Sequence, residues 1–540
     1  MVEVPTSSPH AQTSCAETPR PGAGRHVLVV GAGTAGIPAA LAALEAGARV
    51  TLVDKGQRAG GMLWGSGAVL SAAGTDLQRT RGIVDSPLRH AQEVWRAGRH
   101  RAVPELLALA TTHAAESLAW VQSLGARFTA ESPLLLGLAD QHELYGVARS
   151  YLLEAPEELG WRRGPVLAEV LVGALAPWSA SRQLDLRLRS TVTRLLVAGD
   201  GTVSGCRVEA AGGSTTDVSA DCVVLATGGY GASPQWLRSL HGEYDQLVTQ
   251  GLAHATGDGL VLGEQVGGGV VNADIVVPSM GALEDPDHPG FRLAEGALPV
   301  GRPPAVAGDI WVNAAGVRFV AEDTESPDVR ERAILDQPGG RMVAVFDERM
   351  RRGLTPAVAD WTGRVLGDPP DPRLVHSADT LPELAALAGL PADALVESVR
   401  SYGQAVTRRA DPLGRSRMPT ALTVPPFHAV PTVSSLVVTF AGLGVDGGLR
   451  VVRPDGRPVG GLLAVGELLG GGQVQGDGFS SGMSVTPALT LGRIAGRTAA
   501  GVDPRGLDRR PHEVAADLVG AAGGAAPGGT APGAPGGGAA

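Results

Sequence analysis

Cysteine is scarce in this chain of 540 residues, which contains only Cys15, Cys206 and Cys222. The three cysteines are far apart in the sequence, and they form neither a C-x-x-C pair nor a spacing typical of metal ligands. This pattern argues against a disulfide framework and is typical of a reducing compartment. We also expect no metal site.

A concentrated positive charge is missing too. The chain has 45 basic and 55 acidic side chains, which give a formal net charge of −10, and the basic residues form no clustered stripe. Sequence-independent nucleic-acid binding requires many contacts between basic side chains and phosphates. We therefore expect no nucleic-acid partner.

The sequence pattern shows no signal for secretion or for membrane insertion. Residues 1–24 lack a basic start followed by an apolar run, so they predict a disordered tail without a secretory signal and a cytoplasmic location. Residues 27–44 are an uncharged stretch of 18 residues, but Gly31, Gly33, Gly36 and Pro38 interrupt it. A strand, a turn and a helix explain this stretch better than a membrane span.

Glycine and apolar residues are abundant, with 77 glycines and a hydrophobic fraction of 44%. At roughly 100–200 residues per domain, the length predicts two or three structural units. Residues 26–30 (HVLVV) and 49–53 (RVTLV) have the composition of short buried strands, and residues 35–47 that of a helix. Together they predict a βαβ unit at the start of the ordered chain.

The turn inside this unit is the first functional motif. Gly31-Ala-Gly33-Thr-Ala-Gly36 follows the strand and opens the helix, where glycines let the backbone approach a pyrophosphate at the positive end of the helix. Asp54 follows the second strand, 18 residues after Gly36, and its carboxylate can accept ribose hydroxyls. An ordinary glycine-rich turn is the alternative. The order of strand, turn, helix, strand and acid favours dinucleotide binding, without separating FAD from NAD.

The rest of the chain divides by composition. Residues 272–437 are broken by clusters of proline and glycine and hold one amphipathic helix candidate at 382–406. Residues 449–465 return to strands and turns, and residues 483–500 to a helix, which indicates that the chain re-enters its first domain. Almost all of residues 519–540 are Ala, Gly or Pro, so we expect a disordered tail at the end.

A second set of motifs carries a family resemblance. Residues 60–75 (GGMLWGSGAVLSAAGT) resemble the second flavin-contacting loop of the fumarate reductase/succinate dehydrogenase flavoprotein family. Further segments resemble the same family in the same order, at residues 85–87, 104–106, 120–125, 223–229, 255–259, 316–322, 461–467 and 484–495. The resemblance extends from about residue 26 to residue 500.

This resemblance implies an α/β fold, in which a Rossmann-like FAD-binding domain carries an inserted α+β capping domain. The FAD-binding domain would comprise residues 25–271 plus 438–502, and the capping domain residues 272–437. Residues 1–24 and 503–540 would be disordered tails.

The resemblance also implies FAD in an extended pose. The pyrophosphate would lie on residues 33–36, the adenosine ribose at Asp54, the ribityl chain near Glu467, and the flavin ring beside Ser66 and the start of the last helix. No histidine occurs in residues 60–67, so the FAD would be non-covalent. The expected cofactor-binding residues are Gly31, Gly33, Ala35, Gly36, Asp54, Lys55, Gly61, Met62, Ser66, Gly67, Val192, Ala226, Thr227, Gly228, Asp258, Gly466, Glu467, Gly482, Ser484 and Val485.

The sequence departs from the family at the substrate positions. Fumarate reductases hold two carboxylates with His and Arg side chains, because a dianion needs charge-assisted donors. Here the corresponding positions are Val438 for a His, Phe479 for an Arg, Val277-Pro-Ser279 for His-Pro-Thr, and Ser326 for the proton-donating Arg, with Arg330 and Arg332 nearby. These changes argue against a C4 dicarboxylate and favour a larger, less charged substrate.

Residues 487–497 (PALTLGRIAGR) resemble the ending of the Δ1-ketosteroid dehydrogenase branch, whose catalytic tyrosines have no clean match here. Tyr145, Arg149 and Tyr151 are therefore the catalytic candidates, with a packed Tyr and a surface Arg as the alternative. His428 is a candidate for proton relay, and packing is the more favoured interpretation of it.

The predicted function is that of an FAD-dependent oxidoreductase. It would move a hydride between flavin N5 and a carbon next to a carbonyl in a mostly apolar small molecule, with desaturation favoured. One alternative is a reductase of an activated C=C bond that receives its electrons from a partner. In either direction of reaction, the expected partner besides the substrate is an electron acceptor or an electron donor. Another alternative is a flavin-binding partner protein that has lost the chemistry.

Overall fold

The computed structural model describes residues 22, 24–136, 146–244, 246–297, 308–324, 327–353, 365, 367, 370–502 and 510–523. The strands are β1 (His26–Val30), β2 (Arg49–Val53), β3 (Leu70–Ser71), β4 (Ser150–Tyr151), β5 (Leu184–Arg187), β6 (Ser190–Val197), β7 (Val203–Ala210), β8 (Thr215–Ser219), β9 (Cys222–Leu225), β10 (Val248–Thr249), β11 (Val270–Val271), β12 (Ser279–Glu284), β13 (Arg292–Ala297), β14 (Ile310–Val312), β15 (Arg341–Asp347), β16 (His376–Ala378), β17 (Phe427–Leu436), β18 (Gly442–Leu443), β19 (Arg450–Val452) and β20 (Pro458–Ala464).

The α-helices follow the same order along the chain. They are α1 (Gly36–Glu45), α2 (Asp76–Thr80), α3 (Pro87–Ala97), α4 (Pro104–Thr112), α5 (Ala114–Ser123), α6 (Gly164–Gly173), α7 (Ala176–Ala180), α8 (Pro234–His241), α9 (Asp258–Glu264), α10 (Pro327–Leu335), α11 (Glu348–Gly353), α12 (Leu381–Ala388), α13 (Ala392–Arg408), α14 (Gly471–Gln475), α15 (Val485–Ala499) and α16 (Arg510–Gly523). Among the described residues, no helix is both long and apolar enough to cross a bilayer.

A six-stranded sheet in the order β19-β20-β9-β1-β2-β5 forms the first layer. β1 lies inside it and pairs in parallel with β2 and with β9. Helices cover both faces of such a sheet, which explains why β1 and β9 are apolar throughout instead of alternating. β20 pairs in parallel with β9, so the carboxy-terminal segment returns to the sheet that the amino-terminal segment opens. The expected α/β fold is confirmed.

Two helices pack closely on this sheet. Gly492 and Gly496 of α15 lie against the backbone at the start of α1. A Cβ added to Gly492 would come 2.3 Å from the Ala35 oxygen, and one added to Gly496 would come 2.0 Å from the Ala39 oxygen. The absence of side chains at these two positions therefore lets α1 and α15 touch. Both helices begin at the same cavity, which is described below.

A seven-stranded sheet forms the second large layer. Its main path is β13-β12-β17-β15-β14, and β10 and β16 also pair with β17. Apolar side chains of β14 and β15 pack with Leu395, Val399 and Tyr402 of α13 in a separate core. β10 belongs to this sheet although it precedes residue 272, where we expected the cap to begin. The proposed domain bounds stay a prediction.

The amphipathic segment 382–406 is not one helix. It forms α12 and α13, which are separated at residues 389–391. Gly389 ends α12 with a φ of 67°, and Pro391 precedes α13. Proline has no backbone N–H and so cannot continue a helix, which accounts for the break.

The predicted tail at 503–540 is wrong over residues 510–523, where α16 forms. Pro511, Val514, Ala515 and Leu518 are buried and lie on one side of α16, which contacts α3 and α4. Their spacing is that of an apolar helical stripe. The Ala, Gly and Pro content of the adjoining residues hid this short stripe. Residues 524–540, and residues 1–24 apart from Gly22 and Gly24, lie outside the described residues.

Candidate active site

A cavity of about 1430 Å³ lies where the two layers meet. One part of its lining, here called the nucleotide wall, comes from the turns after β1 and β2 and from the start of α9. Another part, here called the cap wall, consists of residues that begin or directly follow strands of the seven-stranded sheet. The cap wall comprises Gln250, Ser279, Arg292, Val437 and Val438.

The nucleotide wall is built from backbone and from one carboxylate. A Cβ on Gly36 would lie 1.7 Å from the Gly31 oxygen, so the turn between them closes only without a side chain. No side chain caps the start of α1, so its positive end is open to an anion. Asp54 accepts hydrogen bonds from the Ala32 amide at 2.7 Å and from the Gly56 amide at 2.6 Å. The carboxylate thus ties the turn after β1 to the turn after β2.

Lys55 and Asp258 form an ion pair across the nucleotide wall. The Lys55 Nζ donates to Asp258 Oδ2 at 2.7 Å and to the hydroxyl of Thr256 at 2.6 Å. Both residues were expected at the cofactor, but the sequence held no sign that they pair. The pair joins the end of β2 to the first residue of α9.

A tryptophan and a helix start border the middle of the cavity. A Cβ on Gly67 would lie 3.1 Å from the ring of Trp161, and the Gly164 amide donates to the Ser66 oxygen at 2.9 Å. α15 begins at Val485, and its N-cap residue Ser484 makes no capping bond with its side chain. The positive end of this helix therefore points to the cavity that Ser484 and Val485 line.

Glu467 holds two segments together at the cavity. Its Oε1 accepts hydrogen bonds from the amide and from the hydroxyl of Thr439, both at 2.9 Å. Burial raises the pKa of Glu467, and these hydrogen bonds act in the opposite direction. The turn after β20 is therefore fixed to the segment that follows β17.

All the expected cofactor residues except Gly36 line this one cavity. Gly36 lies behind the turn, where the Gly31 oxygen fills the space of a side chain. The structure thus brings together residues from positions 31 to 485 of the chain. Whether each of them contacts the cofactor stays a prediction.

The expected catalytic residues lie elsewhere. Tyr151 is fully buried in β4, its hydroxyl bonds the Thr75 hydroxyl at 2.5 Å, and burial raises its pKa to about 12. Arg149 is 5% exposed and pairs with Asp85 at 2.9 Å and with Glu93 at 2.5 Å. Neither residue lines the cavity, so the geometry gives both a packing role. Tyr145 lies outside the described residues.

His428 is also away from the cavity. Its ring stacks on Phe346 with 5.3 Å between centroids, and its nitrogens bond Ser377 at 2.9 Å and Glu348 at 3.1 Å. Burial lowers its pKa. This placement fits the packing interpretation.

Positions at which the carboxylate-binding side chains of fumarate reductases are replaced do lie at the cavity. Val438, Phe479 and Ser279 line it, and Phe479 is 48% exposed. Val277 packs beside Ile275 and Phe440 in a small apolar cluster. Ser326 lies outside the described residues, and Arg332 is engaged by Asp328 at 2.9 Å and by Asp477 at 2.8 Å.

Sequence reasoning missed several polar lining residues. Trp161, Arg162, Arg163, Gln250, His254 and Arg292 line the cavity but belong to no motif. The run Trp161-Arg-Arg was visible as a cluster, yet nothing in it indicated the cavity that it faces. Only the packing of the seven-stranded sheet brings Arg292 to the same space.

The sequence family described as "FAD binding domain" matches residues 26–482. The chain belongs to this family. The flavoprotein is 29% identical over 475 residues to "Probable fumarate reductase Ifc3" of Shewanella frigidimarina (strain NCIMB 400), a match that covers 88% of this chain and 74% of that protein. It is 26% identical over 502 residues to vinyl phenol reductase of Lactiplantibacillus plantarum, covering 88% and 96% of the two chains. It is 28% identical over 560 residues to 4-oxocyclohexanecarboxylate 2-dehydrogenase of Sinomonas cyclohexanicum, covering 88% and 92%.

Solved structures show the same fold. The open conformation of a flavocytochrome c3 fumarate reductase superposes with a TM-score of 0.70 at 28% identity, and the match covers 90% of this chain and 80% of that one. A 3-ketosteroid Δ1-dehydrogenase of Sterolibacterium denitrificans superposes with a TM-score of 0.71 at 19% identity, covering 88% and 99%, and this likeness concerns the fold alone. The flavoprotein is thus an FAD-dependent oxidoreductase of the fumarate reductase type, and the resemblance found in the sequence is confirmed.

The residues at the cavity fit FAD. The turn at Gly31 leaves no room for a side chain, the start of α1 is uncapped, and the volume of the cavity is sufficient for a dinucleotide. Gly33, Ala35 and Asp54 would hold the nucleotide part, and Ser66, Gly67 and the start of α15 would border the ring.

Proposed function

We propose that this flavoprotein transfers a hydride between FAD and a carbon next to a carbonyl in a mostly apolar small molecule, with desaturation as the favoured direction. The observation that carries the proposal is the apolar character of Val438 and Phe479 at the cavity. C4 dicarboxylates are not expected as substrates.

The argument against a dicarboxylate is electrostatic. Two carboxylates that leave water need two sets of charge-assisted donors, and an unpaired buried carboxylate costs more than the roughly 2–7 kcal/mol of an unpaired neutral polar group. Val438 and Phe479 offer no donor at their positions, so a carboxylate placed against either side chain would find no charge-assisted hydrogen bond there. An apolar carbon skeleton in the same place would gain from burial.

Bound FAD supplies the hydride acceptor or donor for this chemistry. The chain contributes binding through the nucleotide wall and positive potential through the uncapped start of α15. The cap wall borders the same cavity on the side of the seven-stranded sheet. None of the described tyrosines lines the cavity, so the proposal assigns no tyrosine as the base.

A reductase of an activated C=C bond is the second candidate. The relatives include one protein named as a reductase and one named as a dehydrogenase, and both match this chain over 88% of its length. Their common fold is compatible with either direction, which depends on the redox partner and on the substrate.

Anaerobic bleaching of the purified yellow protein tests both candidates. Saturated cyclic ketones should bleach the flavin if the protein desaturates, and dithionite-reduced protein should be reoxidised by enones if it reduces C=C bonds. Succinate and fumarate are the matched controls and should change the flavin spectrum no faster than buffer does. Rapid exchange with these two compounds, or none with any compound, would contradict the proposal, and the second result would favour a flavin-binding partner protein.

A further inference from the structure

Arg292 is a charged side chain of the cap wall, and it lies in none of the sequence motifs. It is the first residue of β13, it is partly buried, and it lines the cavity. The adjoining backbone is firmly placed, since the Thr249 amide donates to the Gly290 oxygen at 2.9 Å and the Asp285 amide to the Phe291 oxygen at 2.8 Å. Arg292 therefore brings a positive charge to the cavity from a well-anchored strand end.

Arg292 has no carboxylate partner among the described residues. Glu284 is its register partner on β12, but the Glu284 carboxylate instead bonds Arg341 at 3.1 Å and the Gly290 amide at 3.1 Å. Partly buried charges are normally paired. The guanidinium is therefore available to a ligand that carries negative charge.

The acidic side chains of the cavity lining are already engaged. Asp54 accepts from the Ala32 and Gly56 amides, Asp258 pairs with Lys55, and Glu467 accepts from Thr439. None of them is left to neutralise Arg292.

A second guanidinium, that of Arg162, lies near Arg292. Burial and the neighbouring guanidinium of Arg162 lower the pKa of Arg292. Arg162 also stacks its guanidinium over Trp161, the residue that contacts Gly67. An anion bound beside Arg292 would offset the charge of its guanidinium. The pyrophosphate of FAD does not meet this need, because its expected place is the start of α1 on the nucleotide wall.

We propose that the substrate carries one carboxylate, which Arg292 binds at the cap wall while the apolar remainder lies against Val438. This inference rests on the proposed function, since it names the substrate class of the same site. The guanidinium fork matches a carboxylate through two parallel hydrogen bonds. The fork of Arg292 takes one carboxylate, and Val438 and Phe479 offer no donor for a second one at the positions where fumarate reductases bind it.

Binding of matched probes to the FAD-loaded protein tests this inference. The probes are cyclohexanecarboxylate against its amide, and cinnamate against its amide, titrated by the change in flavin absorbance. Inorganic phosphate is added as a competitor, to distinguish a carboxylate from a phosphate site. Arg292→Gln is the test variant, and Arg400→Gln, on the exposed side of α13, removes the same charge far from the cavity.

The carboxylates should bind more tightly than their amides, and Arg292→Gln should weaken carboxylate binding by at least about tenfold while amide binding stays unchanged. Arg400→Gln should behave as the parent protein. If Arg292→Gln loses its FAD, Arg292→Lys replaces it and should give an intermediate loss, because it keeps the charge without the fork.

Equal binding of acids and amides to the parent protein would overturn the inference. A preference that survives the loss of Arg292, or phosphate as the stronger competitor, would also overturn it. The proposed reaction can fail independently: if neutral ketones bleach the parent and Arg292→Gln equally fast, the reaction stands without the carboxylate site. A carboxylate preference without electron exchange would support the ligand class and contradict the reaction.

Discussion

The nucleotide wall and the cap wall of the cavity differ in how their polar groups are used. On the nucleotide wall, Asp54, Lys55 and Asp258 all have partners within the chain. On the cap wall, Arg292 has none among the described residues and Val438 is apolar. The first wall is preorganised for a constant ligand, whereas the second leaves its charge to be completed by a substrate. Family motifs therefore describe the first wall better than the second.

The largest effect is expected from a substitution that disrupts the nucleotide wall. Gly36→Leu places a side chain where the Gly31 oxygen lies, 1.7 Å from the position of its Cβ, so the turn must open. We expect complete loss of bound FAD, measured as the ratio of flavin to protein absorbance after purification. Gly173→Ala, at a glycine of α6 with open space around it, is the control and should keep full colour. A yellow Gly36→Leu protein would remove the pyrophosphate assignment.

The next largest effect tests whether Arg149 has a structural role. Arg149→Met leaves the Asp85 carboxylate buried without a cation and leaves Glu93 with only the half-exposed Arg89, so it should lower the free energy of unfolding by about 3–5 kcal/mol. Urea denaturation measures this loss. Arg89→Met removes a half-exposed partner of the same Glu93 and should cost at most about 1 kcal/mol. Equal stabilities of the two variants would contradict the packing role.

A buried carboxyl of α10 should make the stability of the protein depend on pH. Glu331 of α10 is 6% exposed, its Oε2 has no hydrogen-bond partner, and burial raises its pKa from the ordinary 4.5 to about 8. The folded state keeps this proton after the unfolded chain has released it. The free energy of unfolding should therefore fall as the pH rises from 4.5 to about 8, by up to about 1.4 kcal/mol per pH unit from this group.

Glu331→Gln should flatten that part of the profile and stabilise the protein most at the alkaline end, as measured by urea denaturation across the pH range. Glu397→Gln, on the exposed side of α13, should leave the profile unchanged. An identical slope in the parent and in Glu331→Gln would show that the carboxyl is not protonated in the folded state.

The smallest effect concerns Tyr151. Tyr151→Phe removes one buried hydrogen bond to Thr75 and should cost about 1 kcal/mol of stability. The FAD content and the rate of flavin bleaching per folded molecule should not change, because Tyr151 does not line the cavity. A large fall in bleaching rate with full colour would restore Tyr151 as a catalytic candidate.

Much of the nucleotide wall could be predicted, because its residues lie in local motifs. The turn at residues 31–36 requires glycine for a steric reason that holds wherever the motif occurs, and Asp54 follows β2 directly. Ion pairs such as Lys55–Asp258 could not be predicted, since they join residues 203 positions apart. The position of Arg149 and Tyr151 away from the cavity could not be predicted because sequence alone does not separate a buried ion pair from a site, and α16 was hidden by its low-complexity neighbours.

The order of apolar strand, glycine turn, helix and strand was sufficient by itself to predict an α/β unit that binds a dinucleotide, and the family resemblance of segments up to residue 500 identified that dinucleotide as FAD. The strand, turn and helix follow from local steric and hydrophobic requirements that each segment carries on its own. Only the tertiary structure decided that Arg292 shares a cavity with Val438 and that Arg149 does not. Both outcomes depend on which strands pair across long stretches of chain, and that pairing determines whether a charged side chain has a partner within the protein or must find one in a ligand.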